Sequence, residues 1–280
     1  MTNMSQPSGG PQRFMVLCGP RTGSNMLTSA LHSHPEIVCF REVFNFTLPS
    51  IDYNVAGFDG KDPDALALRK SDPAAFMDRC LFSGHAPSIH AVGFKFIYEH
   101  FWDSPGLIEA LQAMPGLRVI HLKRRNGIRA FLSYKMAFAT GSWQQPKPRP
   151  IHQRLLSTLS HPGRIPASIR RRVSPSDQPV RITLPPAECL EYIALRIQQE
   201  AHFDALFAAN ERLEIAYEDM VADRQRQFRR AQDFLGVEPR TLTESVERQN
   251  PGRMRDLVAN YDELSLALRH TPHAWMLDEP

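Results

Sequence analysis

The chain has 280 residues, 42% hydrophobic and 22% charged, enough apolar material for a buried core and too much for global disorder. Lys plus Arg number 33 against 30 Asp plus Glu, and a net charge of +3 gives no argument for a nucleic-acid partner. No apolar run approaches the roughly 18–20 residues that cross a bilayer, so no membrane span is expected.

Met1 to Gln12 is polar, carries Gly9-Gly10-Pro11 and lacks a signal layout; it reads as a loose tail before one domain over 13–280. Phe14 to Cys18 is a short apolar run of the buried parallel-strand kind, closed by Gly19-Pro20. A helix is predicted from Ser24 to Ser33, then a strand over Ile37 to Phe40, then a long irregular stretch holding Pro49, Gly57, Gly60 and Pro63. Asp72-Pro73 reads as the cap and first position of a helix reaching Phe82. Strands follow over Val92–Ile97, Leu117–Leu122 and Leu213–Tyr217. Helices are predicted over Pro105–Met114, Gly127–Ala139, Ala187–Asn210 and Arg224–Leu235, the last closed by Gly236. Strands alternating with helices specify an α/β fold, a parallel sheet flanked by helices. Gln144 to Pro186 holds nine prolines, many basic residues and few apolar ones, and reads as an inserted lid or acceptor loop.

The four cysteines and eleven histidines show no metal-ligand spacing, so no metal is expected, and the cysteines suit a reducing, cytoplasmic setting. The clusters Lys123-Arg124-Arg125 and Arg170-Arg171-Arg172 suit a compact polyanion better than a long nucleic-acid backbone.

Gly19-Pro20-Arg21-Thr22-Gly23-Ser24-Asn25 is the strongest local signal. A glycine turn opening a helix aims backbone N–H groups and the positive end of the helix dipole at one spot, an anion cradle. It is neither a Walker loop, which needs a lysine after its second glycine, nor a G-x-G-x-x-G fingerprint. A strand-to-helix turn without a ligand has the same form. The second signal is a strand ending in basic residues, with Ser133 eight positions after Arg125. The third, Tyr217-Glu218-Asp219-Met220 with Phe234-Leu235-Gly236 further on, reads as scaffold, Asp219 capping a helix.

In this order the segments resemble the PAPS-dependent sulfotransferase superfamily (PAPS being 3′-phosphoadenosine 5′-phosphosulfate), from Phe14 to Leu268. Arg21-Thr22-Gly23-Ser24-Asn25 is similar to its 5′-phosphosulfate loop, and Arg125-Asn126-Gly127 through Ser133 to its 3′-phosphate motif. Tyr217-Glu218-Asp219-Met220 and Phe234-Leu235-Gly236 match its later strand and helix. Phe40-Arg41-Glu42-Val43-Phe44 and Ala91-Val92-Gly93-Phe94-Lys95 resemble the bacterial carbohydrate, trehalose-type branch. Asn25, Met26 and Gly127 depart from the usual pattern, which leaves the adenine contacts open.

The resemblance implies a P-loop-like parallel sheet and transfer of a sulfuryl group from PAPS to a hydroxyl, on a carbohydrate or glycolipid, without a metal. Arg21, Thr22, Gly23, Ser24 and Asn25 would hold the 5′ end of the donor, and Arg125 and Ser133 its 3′-phosphate. Glu42 would be the base, with Arg21 and Lys95 assisting the transfer. His100 and Trp102 are candidates for sugar contact, and Arg253 and Arg255 for the donor. The family's members are commonly homodimers. The alternatives are a Mg²⁺-dependent nucleotide kinase and a non-catalytic module that holds adenosine bisphosphate.

Overall fold

The computed structural model describes residues 10–53, 55, 57–103, 106–143, 180–246 and 252–278. The lid assigned to 144–186 therefore falls outside the described residues except for its last seven positions, as does the Trp102 side chain. Five parallel strands form one sheet in the order β2-β3-β1-β4-β5. They are β1 (Gln12–Cys18), β2 (Ile37–Phe40), β3 (Ala91–Ile97), β4 (Arg118–Lys123) and β5 (Arg212–Ala216). The expected α/β fold, a parallel sheet flanked by helices, is present. The crossover helices are α1 (Ser24–His32), α2 (Pro63–Ser71), α3 (Pro73–Phe76), α4 (Leu107–Gln112), α5 (Gly127–Thr140) and α6 (Pro186–Leu206). After β5 come α7 (Tyr217–Ala222), α8 (Arg224–Leu235), α9 (Met254–Leu257) and α10 (Tyr261–Leu268).

The central strand β1 pairs with β3 on one side and β4 on the other, and Phe14 to Cys18 are fully buried. Its period of two sends Met15 and Leu17 to a core with Val92, Phe94, Phe96 and Phe44. Phe14, Val16 and Cys18 face the other way, against Leu27 and Leu31 of α1 and Phe228 of α8. A third apolar cluster joins α5, α6, α9 and α10 through Leu132, Ile193, Met254 and Leu264.

Two expectations are corrected. The irregular stretch after β2 contains α2, started by Asp62, whose carboxylate accepts from Asp64 N at 3.0 Å, with Pro63 in the first turn. Asp219 is no cap, because α7 already begins at Tyr217; the capping carboxylate is that of Asp223, which accepts from Arg226 N at 3.1 Å and opens α8. The helix expected from Asp72 does begin with that cap, but it widens into a π turn over Met77–Leu81.

Candidate active site

The site lies at the carboxyl edge of the sheet, where open α/β sheets bind ligands. The β1–α1 loop turns sharply: Arg21 has φ 63° and Gly23 φ 83°. Gly23 is obligatory twice over, since a side chain there would also stand 2.5 Å from the Tyr217 ring. Among the described residues the backbone N–H groups of Gly23, Ser24 and Asn25 meet no acceptor, leaving three donors at the start of α1. The Thr22 hydroxyl, fully buried, donates to Gly19 O at 2.9 Å and closes the turn.

Arg21 extends across to α5, its Nε donating to Ser133 Oγ at 2.9 Å and one terminal nitrogen to Trp143 O at 2.8 Å. It forms no ion pair among the described residues. Burial, and then the nearby Arg124, lower its pKa, which marks a guanidinium short of negative charge. Arg124 in turn donates to Arg21 O at 2.9 Å and lies 4.3 Å over the Tyr217 ring.

Lys95 links loop and carboxylate. On β3 its side chain shares the face of Ala91 rather than that of Phe94, so it points toward α1. Its ammonium, 1% exposed, contacts Glu42 Oε1 at 2.6 Å and Asn25 Oδ1 at 2.5 Å. The partner expected for a lysine inside an apolar strand is therefore Glu42. The other Glu42 oxygen accepts from Asn45 Nδ2 at 2.9 Å, and His100 Nε2 stands 3.9 Å away. Burial works to raise the Glu42 pKa, but the Lys95 charge, the bonds from Lys95 and Asn45, and His100 together hold it below the ordinary carboxylate range.

The sequence-predicted residues thus form one group, with one rearrangement. Ser133 sits on Arg21, whereas Arg125 pairs with Asp219 at 2.7 Å and is half exposed. The Tyr217-Glu218-Asp219 segment is more than scaffold. Tyr217 packs under Gly23, and Glu218 accepts from Arg125 N and Asn126 N at 3.1 and 3.0 Å. Asn126 then caps α5 by accepting from Arg129 N at 2.9 Å. Arg255 pairs with Asp262 at 3.0 Å on the surface, and Arg253 precedes α9 as an exposed residue. Arg124, from the basic cluster at the end of β4, also converges here, as do Tyr192 and Arg196, which carry no motif signal; the one hint of Arg196 is Gly19, a glycine without positive φ, which marks a close approach.

An α/β chain with a cationic anion cradle at the carboxyl end of its first strand is the class that fold and site define. Over its full length the chain is similar to Nodulation protein H of Rhizobium meliloti (strain 1021), 25% identical over 98% of this chain and 97% of that protein. Nodulation protein H of Rhizobium tropici is 23% identical over 94% and 92%. No protein-family model matches. Among solved structures, a sulfotransferase from Alicyclobacillus acidocaldarius is similar over 96% of this chain and 95% of its own, with 19% identity and a TM-score of 0.49. The sulfotransferase domain of the Synechococcus PCC 7002 olefin synthase gives 15% identity and a TM-score of 0.40, over 98% and 90%.

Proposed function

We propose that the chain transfers a sulfuryl group from PAPS to a hydroxyl of a carbohydrate or glycolipid. The observation that carries this reading is Lys95, whose buried ammonium bridges Glu42 and Asn25 and so sets an ionised carboxylate beside an anion cradle. Arg21, without an ion pair among the described residues, and the N–H groups of Gly23, Ser24 and Asn25 suit the 5′-phosphosulfate. Among the described residues the Arg125 side chain is held by a surface pair with Asp219, which costs little to exchange for a 3′-phosphate.

In the transfer, Glu42 takes the proton of the acceptor hydroxyl as its oxygen bonds to sulfur. The bond from sulfur to the 5′-phosphate oxygen breaks, and its electron pair leaves with adenosine 3′,5′-bisphosphate. Arg21 and the loop amides stabilise the charge that gathers on that oxygen. Lys95 keeps Glu42 ionised and steadies the oxygens in flight. An open groove of about 490 Å³ is lined by Arg41, the residue before Glu42 in the chain, with Ser50, Asp52, Tyr53 and Phe58 beside the apolar Leu48, Ile51 and Val55, a mixed lining that a sugar could use.

Thermal unfolding with added nucleotides tests the donor. Adenosine 3′,5′-bisphosphate at about a hundred times its Kd should add about 2.7 kcal/mol of stability, with 5′-AMP and ATP far behind. Equal shifts with ATP and Mg²⁺ would point to a kinase instead.

A further inference from the structure

Helix α6 brings a buried cation to the cradle. Arg196 is 7% exposed, and its guanidinium occupies the space where a Gly19 side chain would begin; a Cβ there would stand 1.6 Å from both terminal nitrogens. It sits 4.9 Å over the Tyr98 ring, and its hydrogen bond goes to Gln199 Oε1, long at 3.3 Å. Glu99 and Glu200 feel its charge but lie beyond ion-pair distance, so among the described residues Arg196 has no ion pair. A guanidinium buried in this way is costly unless an anion offsets it. One turn earlier, the Tyr192 hydroxyl is buried without a hydrogen-bond partner among the described residues. Its ring stacks on Phe131 at 4.8 Å, two residues before the Ser133 that holds Arg21.

We propose that Arg196 and Tyr192 form the α6 wall of the oxyanion site and bind the 5′ end of the donor. The naming of that donor rests on the reading above; the anion site itself rests on these two side chains. The glycine at position 19 then has a function: it lets the guanidinium lie against the loop backbone.

Calorimetric titration of wild type and Arg196→Gln with adenosine 3′,5′-bisphosphate, adenosine 3′-phosphate and inorganic pyrophosphate tests this. Loss of one charge-assisted contact should weaken the bisphosphate and pyrophosphate about ten- to a hundredfold, and leave the 3′-phosphate within about threefold. Arg196→Lys should lie between. Gly19→Ala displaces only the tip of the arginine, so it should fold, weaken the same two ligands, and add little on top of Arg196→Gln. Tyr192→Phe should lose pyrophosphate affinity with no loss of melting temperature, because its hydroxyl has no partner to forfeit. Unchanged pyrophosphate affinity in Arg196→Gln, an equal loss for all three ligands, or no pyrophosphate binding by the wild type would overturn the proposal. A wild type that binds pyrophosphate but prefers ATP to the bisphosphate would overturn the donor reading and leave the α6 anion site standing.

Discussion

Glu42 and Lys95 meet at 2.6 Å in a place with little water, and the Lys95 charge helps to keep the carboxylate ionised. A base held below the ordinary carboxylate range is a weaker base but is ionised throughout the neutral range. Replacing it by glutamine keeps the shape and removes the proton acceptor. Glu42→Gln should therefore lower kcat by about 10²–10⁴ while bisphosphate affinity moves less than about threefold. The sign of the pH dependence follows from the same pair. In the proposed transfer activity needs the carboxylate, so wild-type activity should fall only as pH drops through its lowered pKa. Lys95→Met removes the main opposing charge and leaves burial to raise that pKa, so the acid limb should move to higher pH. A pH–rate profile with an unmoved limb in Lys95→Met would separate Glu42 from the proton transfer.

At the level of elements, the turn between β4 and α5 is held from α7. Glu218 takes two backbone N–H groups there, and Asp219 takes the Arg125 side chain. These contacts differ in kind. Glu218→Ala leaves two turn amides without their charged acceptor and should cost about 1–3 kcal/mol in urea unfolding. Arg125→Ala breaks only a solvent-exposed pair, so stability should change by less than about 1 kcal/mol while bisphosphate affinity drops roughly tenfold or more. The sequence made part of this visible. The loop at Gly19 to Asn25 was legible as an anion cradle because a glycine turn between strand and helix leaves a local signature; Glu42 and Lys95 were singled out through the resemblance, and the structure joins them to Asn25, while Ser133 meets Arg21 and Arg125 turns to Asp219. Asp62-Pro63 carries the same start signal as Asp72-Pro73, yet the surrounding glycines and prolines hid α2. Asp219 looked like a cap because a carboxylate after a strand often is one; its real partner is 94 residues away in the chain. Arg196 gave no signal, since its meaning depends on a through-space approach to Gly19.

Across the whole molecule, one buried relay ties the sheet to α6. Tyr98 meets His121 Nε2 at 2.5 Å, and His121 Nδ1 meets Asp204 of α6 at 2.9 Å. Asp204 also takes Lys123 and Arg212, both at 2.8 Å. With Asp204 ionised, His121 donates from Nδ1 and accepts the Tyr98 hydroxyl at Nε2, so the ring is neutral. Tyr98 stacks on Phe203 of α6 at 4.7 Å and lies under Arg196, so the relay sets where α6 stands over the loop. Burial is the main cause that pushes the His121 pKa down to about 4; the Asp204 bond works against it. A histidine with a folded pKa below its unfolded one contributes its full stability above the unfolded value, and loses it as pH falls toward the folded one. The window here is between about 6.5 and 4, and by pH 5 the native state should have lost about 2 kcal/mol. His32, also lowered by burial, adds in the same sense. Urea unfolding at about pH 7.5 and about pH 5 measures the loss, and His121→Gln should flatten the difference by most of it. A decline of equal size in that variant would place the titrating group elsewhere and reduce the relay to packing.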